Sequence, residues 1–120
     1  MLFSTTTDIW RIVFNSSDNL KVALPVRGLM DVRAIDYDVK SHLIYWIDSA
    51  AKEIRRSFQN GSSAKTIVLG EDSSPYDLAI DSYGQQLFWT DDVKNSINVY
   101  SLRKGVSMGC LLYTSDAADE

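Results

Sequence analysis

The side chains best suited to chemistry in this chain are carboxylates, notably Asp36, Asp38, Asp48, Asp81, Asp91 and Asp92. Brought together, such groups can offer hard oxygen ligands to a divalent cation or act as an acid–base pair. The residues that would complete a reaction centre are missing. His42 is the only histidine, which excludes a His-based metal site and leaves no base for a Ser-His-Asp triad. A single histidine beside a strand reads as a surface or turn residue. Cys110 is the only cysteine, so there is no internal disulfide and no Cys-x-x-Cys pair, and there is no glycine-rich phosphate loop. No catalytic residue, metal site or cofactor is expected. Asp36, Asp48, Asp81 and Asp91 also fall at places that recur along the chain. A group needed in every unit reads as a structural device, a carboxylate accepting hydrogen bonds from backbone or from a neighbouring unit.

The recurrence is an internal repeat. Tyr45-Trp46-Ile47-Asp48 returns as Phe88-Trp89-Thr90-Asp91, 43 residues later, and a weaker copy, Leu2-Phe3-Ser4-Thr5, lies 43 residues earlier. In front of the motif, Arg33-Ala34-Ile35-Asp36 matches Leu78-Ala79-Ile80-Asp81 at a spacing of 45, and behind it Ile54-Arg55-Arg56 matches Ile97-Asn98-Val99 at 43. Each unit reads as β. Leu43-Ile44-Tyr45-Trp46-Ile47 is the continuous apolar run of a strand buried on both faces. Ile54, Arg56 and Phe58 alternate with Arg55, Ser57 and Gln59, a period of two. Asn60-Gly61 supplies the positive-φ pair of a tight hairpin, and residues 65–69 form the next strand. With residues 32–37 as the first, a unit holds four strands, and no window carries helical periodicity. Four strands per 43–45 residues predict an all-β propeller blade that buries its faces against its neighbours, with Trp46 and Trp89 between blades.

Composition sets the outer bounds. With 45% apolar and 23% charged residues the chain is globular, and no apolar run approaches the ~20 residues of a membrane helix. The polar run Ser4-Thr5-Thr6-Thr7-Asp8 follows Met1-Leu2-Phe3 at once, so the first residues do not read as a signal peptide. Residues 110–120 differ in character from the rest, and all eleven agree with the translation of a transposase sequencing adapter. That likeness marks the tail as non-native and implies that the natural chain continues beyond Gly109. Of the 16 acids, three (Asp116, Asp119, Glu120) lie in this tail, so the net charge of −4 becomes −1 without it. No clustered basic surface is evident, and nucleic acid is not an expected partner.

The Tyr-Trp-Ile-Asp and Phe-Trp-Thr-Asp motifs, each preceded by Ala-Ile-Asp, resemble the YWTD repeats of low-density-lipoprotein-receptor-related propellers. Leu2-Phe3-Ser4, Val22-Ala23-Leu24-Pro25 with Gly28, Ile44-Tyr45-Trp46 and Phe58-Gln59-Asn60-Gly61-Ser62 are most similar to the third propeller of the Wnt co-receptor branch. The resemblance implies an incomplete six-bladed YWTD β-propeller: residues 1–28 as three strands of the closing blade, 29–70 as a complete blade, and 71–109 as a truncated one. It implies no enzyme. It implies the ectodomain of a single-pass receptor at the extracellular face of the plasma membrane, with any membrane span outside this stretch. The implied partner is a secreted protein of the Wnt or Wnt-antagonist class, held at the top-face loops.

In that branch the ligand-facing positions precede the Ala-Ile-Asp strand and read aromatic, proline, acid, glycine. Here they correspond to Ser74, Pro75, Tyr76 and Asp77, and to Met30 and Asp31 one blade earlier. The aromatic has become Ser74, the acid has become Tyr76, and Ser82 replaces the usual tryptophan after the inner-strand aspartate. Asp31, Ser74, Tyr76 and Asp77 are the candidate ligand-binding residues. Asp31 and Tyr76, 45 residues apart, are expected at matching places on adjacent blades. Asn15 and Asn60 head sequons compatible with N-glycosylation, and Asp36, Tyr45, Trp46, Asp48, Asp81, Phe88, Trp89 and Asp91 are the structural repeat residues. Two other readings stay open. One is an endocytic lipoprotein-receptor propeller that releases ligand at low pH, for which histidines between blades would speak. The other is a metal-dependent propeller hydrolase.

Overall fold

The computed structural model describes residues 2–14, 19–68 and 74–113. Among them there is no helix, and eleven strands form three antiparallel sheets. The first sheet contains β1 (Leu2–Ser4), β2 (Ile9–Phe14) and β3 (Asn19–Ala23). The second runs β4 (Val32–Asp38), β5 (Leu43–Asp48), β6 (Glu53–Phe58) and β7 (Lys65–Val68), each strand pairing with the next. The third repeats that order with β8 (Pro75–Asp81), β9 (Gln86–Asp91), β10 (Ser96–Ser101) and β11 (Val106–Tyr113). The first strands of adjacent sheets touch, β1 against β4 and β4 against β8. This is the blade stacking of an incomplete propeller. β11 continues through residues 110–113 of the tail, pairing Leu112 with Ile97 and Tyr113 with Ser96.

The motif strand fills both inter-blade spaces. Leu43, Tyr45 and Ile47 on one face of β5 join Ile54 and meet Leu78, Leu87, Trp89 and Tyr100 of the third sheet. Ile44 and Trp46 on the other face meet Ile9 and Val32, with Leu2, Leu24 and Val26 packed around them. Each such side chain taken out of water is worth roughly 1.5–3 kcal/mol. Hydrogen bonds staple the sheets as well: Ile80 N donates to Asp36 Oδ2 at 2.8 Å, Gln85 Nε2 to Asp38 Oδ2 at 3.2 Å, and Val32 N to Thr6 O at 2.8 Å.

Three expectations change. First, across the first three strands of the second and third blades the repeat runs at 43, not 43–45. Asp38 pairs with Leu43 and Asp36 with Tyr45, whereas Asp81 pairs with Gln86 and Ala79 with Phe88. Asp81 therefore stands where Asp38 stands, and Asp36 matches Ala79. Second, Phe58 is 37% exposed while Ser57 is fully buried. Ser57 is the cross-strand partner of Ile44, under the face that the first sheet covers, and Phe58 ends its strand at the rim. Third, the left-handed residues of the β6–β7 turn are Gly61 (φ 85°) and Ser63 (φ 57°), not Asn60 and Gly61.

Candidate functional site

The last residue of each motif strand organises one end of its blade. Asp48 is fully buried, and its carboxylate accepts hydrogen bonds from Met30 N (3.0 Å), Asp31 N (3.3 Å), Ala50 N (3.1 Å) and Ala51 N (3.3 Å). Met30 and Asp31 lead into β4, while Ala50 and Ala51 form the turn after β5. One carboxylate thus ties together the two connections that border this end of the blade. Asp91 does the same one blade on, accepting from Ser74 N (3.3 Å), Val93 N (2.9 Å) and Lys94 N (2.9 Å). Charge-assisted bonds of this kind are roughly twice as strong as neutral ones, so both loops are held in place. A further link repeats alongside: Ser49 N donates to Asp31 O, and Asp92 N donates to Ser74 O.

What this end displays is a mixed surface of acids, an aromatic ring and the exposed cations Arg33, Lys52 and Lys94. Asp31 is exposed, its Oδ2 accepting from Ser49 Oγ at 3.4 Å. Tyr76 is 48% exposed, and the Arg33 guanidinium lies 3.6 Å from its ring centroid. Arg33 Nε also donates to Tyr76 O at 3.2 Å, so the ring is clamped from the neighbouring blade. Asp77 is exposed, with its Oδ1 accepting from its neighbour Leu78 N at 2.9 Å and its own N donating to Thr90 Oγ1 at 3.1 Å. Ser74 is half-buried and spends its backbone on Asp91 and Asp92. A cleft of about 260 Å³ beside Tyr76 is lined also by Asp92, Asn95 and Ile97.

Asp31 and Ser74 therefore lie on the connections at one blade end, with Tyr76 and Asp77 beside them at the start of β8, but Asp31 and Tyr76 are not equivalent residues. At the spacing of 43, Asp31 matches Ser74 and Arg33 matches Tyr76. The sequence marks Arg33 only as part of a repeated tetrapeptide. The signal that could have found it was its 43-residue distance from Tyr76. Asn60 is exposed in the β6–β7 turn, whereas Asn15 lies outside the described residues.

The other aspartates serve the opposite end. Asp38 is fully buried and accepts from Ser41 Oγ at 2.7 Å and Lys40 N at 3.1 Å, besides Gln85. Burial pushes its pKa up, but the hydrogen bonds from Ser41, Ser82, Gln85 and Lys40 together outweigh it and hold the carboxyl below its ordinary 3.8. Asp81 is exposed and accepts from Gly84 N at 3.0 Å. Burial raises the Tyr45 phenol above its usual 10.0, with Arg56 beside it pulling the other way. His42 sits in the turn between β4 and β5, its Nδ1 3.0 Å from Tyr37 Oη. Among the described residues no group of three or more His, Cys, Asp or Glu could hold a metal ion, and no helix is long and apolar enough to cross a membrane.

No protein-family model matches the chain. It is similar to low-density lipoprotein receptor-related protein 5 of Homo sapiens, at 36% identity over 117 residues, which is 93% of this chain and 7% of that protein. Nidogen-2 of Mus musculus is 32% identical over 96 residues, covering 76% of this chain and 7% of that protein. The chain thus spans about 7% of the length of these relatives. Among solved structures, a chain of the nidogen/laminin complex superposes with a TM-score of 0.79 at 24% identity, over 95% of this chain and 44% of the other. A putative 6-phosphogluconolactonase from Bacteroides uniformis gives 0.57 at 10% identity, over 92% and 40%. Both structural likenesses speak for the fold alone.

Proposed function

The chain belongs to the YWTD β-propeller family of low-density-lipoprotein-receptor-related proteins, and on that footing we propose that it is part of an extracellular propeller that binds a secreted protein through its loop face. The observation that carries the reading is the pair of motif aspartates. Asp48 and Asp91 use their carboxylates to fix the connections that present Asp31, Tyr76 and Asp77. Buried carboxylates spent on holding exposed loops make a rigid platform, and a rigid platform lowers the ordering cost of binding. An aromatic ring clamped by a guanidinium is a suitable anchor, and the exposed acids around it suit a ligand with basic loops.

Within that reading the partner is a Wnt-class ligand or one of its antagonists, and the parent is a single-pass receptor at the plasma membrane. The similarity to a low-density lipoprotein receptor-related protein 5 over 93% of the chain supports this branch. The relatives do not speak for a hydrolase, and the lactonase shares the fold at only 10% identity. Nor is His42, the single histidine, buried between blades: it is exposed in the turn between β4 and β5, so a low-pH release mechanism gains no support from it.

Recovering the complete reading frame tests the assignment. It should encode six repeats of this kind, then a Cys-rich growth-factor-like module, and later a membrane span. A frame that ends after the ring with no Cys-rich module would overturn it. Binding of Wnt-class proteins to the encoded ectodomain should also weaken as salt is raised, because the steering charges are exposed.

A further inference from the structure

A groove of about 610 Å³ runs between the first and second blades, away from the residues of the proposed binding surface. It is lined by Pro25, Arg27 and Gly28 of the β3–β4 connection, by Trp46 and Arg55, and by the β6–β7 turn as far as Ala64. Trp46 and Arg55 are cross-strand partners, and the guanidinium carbon of Arg55 lies 6.0 Å from the indole centroid. The groove is rich in unspent donors. Arg55 Nη1 donates to Gly28 O at 3.3 Å, which holds the guanidinium across the groove. Arg55 Nε is buried without an acceptor, since Glu53 Oε1 at 4.0 Å is beyond hydrogen-bond distance. Trp46 Nε1 is buried without an acceptor too. Arg27 is exposed, and its guanidinium makes no hydrogen bond among the described residues. Buried donors left unmatched are costly, and a carboxylate offers several acceptor sites in the planar geometry that a guanidinium fork fits.

We propose that this groove is a second binding site, which takes an acidic side chain of a peptide partner with its carboxylate against Arg55 and Arg27. The third blade shows what sets the second apart. Trp89 Nε1 likewise lacks an acceptor, but the cross-strand partner of Trp89 is Asn98, whose Nδ2 is spent on Ser96 Oγ at 3.0 Å. Charge and lining choose the occupant. Two guanidinium groups match one or two carboxylates, and they fall short of the run of cations that a sulfated polysaccharide needs. Pro25, Ala64 and the Trp46 ring offer apolar wall to the residue beside the acid. The groove is also preformed. Gly61 has φ 85°, and a Cβ there would run into the carbonyl oxygen of Pro25, so the β6–β7 turn is seated against the opposite wall. Phe58 N donates to Ser62 O and Gly61 N to Phe58 O, each at 2.9 Å, and fix that turn internally. Fixed walls lower the ordering cost of binding.

The test uses the full ectodomain as the cell produces it, with any sugar at the Asn60 sequon in place. Random linear peptides displayed on phage are selected on it and counter-selected on a variant carrying both R27Q and R55Q. Enriched clones should carry Asp or Glu next to an apolar residue. A synthetic peptide of the leading clone should lose about ten- to hundredfold in affinity when its acid is replaced by the amide. R27Q and R55Q should each weaken binding, and R55K should restore only part of it because lysine lacks the fork. Arg27 is exposed and unbonded, so R27Q reads the site even where R55Q disturbs folding. The peptide should bind Y76A as it binds the wild type, which separates this groove from the loop face. No acidic enrichment, equal binding to the double variant, or loss of binding on Y76A would overturn the site. Retention on heparin that the double variant loses, with no acidic peptide selected, would overturn the occupant in favour of a sulfated glycan.

Discussion

The second and third blades carry nearly the same motif strand, yet they bury it differently. Every residue of β5 is buried, while in β9 buried Leu87, Trp89 and Asp91 alternate with half-buried Gln86, Phe88 and Thr90. The cause is the neighbourhood. β5 lies between the first and third sheets, whereas β9 has a described sheet only on its Leu87–Trp89 face. The motif is therefore a two-sided wedge, with its tryptophan turned to the preceding blade and its first aromatic to the following one. Phe88 and Ile97 occupy in the third blade the places that Tyr45 and Ile54 hold under the third sheet. They line a shallow cleft of about 120 Å³ with Ala79 and Thr90.

The comparison breaks most visibly at the aromatics. Trp46→Ala should cost about 3–5 kcal/mol, the range for a large buried aromatic. Tyr45→Ala should cost more than Phe88→Ala in this chain, since Tyr45 is 1% exposed and Phe88 is only partly buried. In a ring with a following blade the two costs should converge. Chemical denaturation of the chain and of the full propeller measures both, and equal costs in the short chain would contradict the wedge.

The aspartates sharpen it next. Among the described residues, Asp48→Ala orphans four backbone N–H groups and Asp91→Ala three. At roughly 1–3 kcal/mol for a buried group left unsatisfied, with partial rescue by water at the loops, each variant should be clearly destabilised. Thermal unfolding measures both, and a loss in one variant with none in the other would break the parallel between the blades.

A smaller effect appears in acid. The Asp38 carboxyl has a folded pKa below its ordinary 3.8, so its contribution to stability is fully present above that value. It is lost as pH falls through the lowered folded pKa. Asp38→Asn should flatten this part of the acid limb. Stability of the wild type and of this variant, measured between neutral pH and strong acid, shows whether it does.

Much of the fold was legible because a repeat writes the same message more than once. The strands, the sheet order and the two-sided burial of β5 follow from Tyr45-Trp46-Ile47-Asp48 and its copy. The slip in register has a physical reason. Spacings of 43 and 45 differ by two, which is the pleat period, so matching Asp36 to Asp81 keeps every side chain on its proper face and breaks no alternation. Asp36 and Asp38 do both reach the third sheet, through Ile80 N and Gln85 Nε2. Only cross-strand pairing separates the two registers. The loop face was less legible. The partners of Tyr76 and Asp77, Arg33 and Thr90, come from another blade and another strand, and no local pattern announces them.

If the loop face is the binding surface, substitutions on it should weaken ligand binding while the ring stays folded. Asp31→Ala, Arg33→Ala and Tyr76→Ala are made in the full ectodomain and titrated with a Wnt-class ligand or antagonist, alongside thermal unfolding. Asp31→Ala, an exposed loop substitution, should move stability by under ~0.5 kcal/mol, whereas Arg33→Ala and Tyr76→Ala also remove a cation–π contact worth about 0.5–1 kcal/mol at an exposed site. Tyr76→Ala should weaken binding by about 1–2 kcal/mol, with Arg33→Ala following it because the guanidinium holds the ring. If all three variants bind as the wild type does, the loop face is not the binding surface.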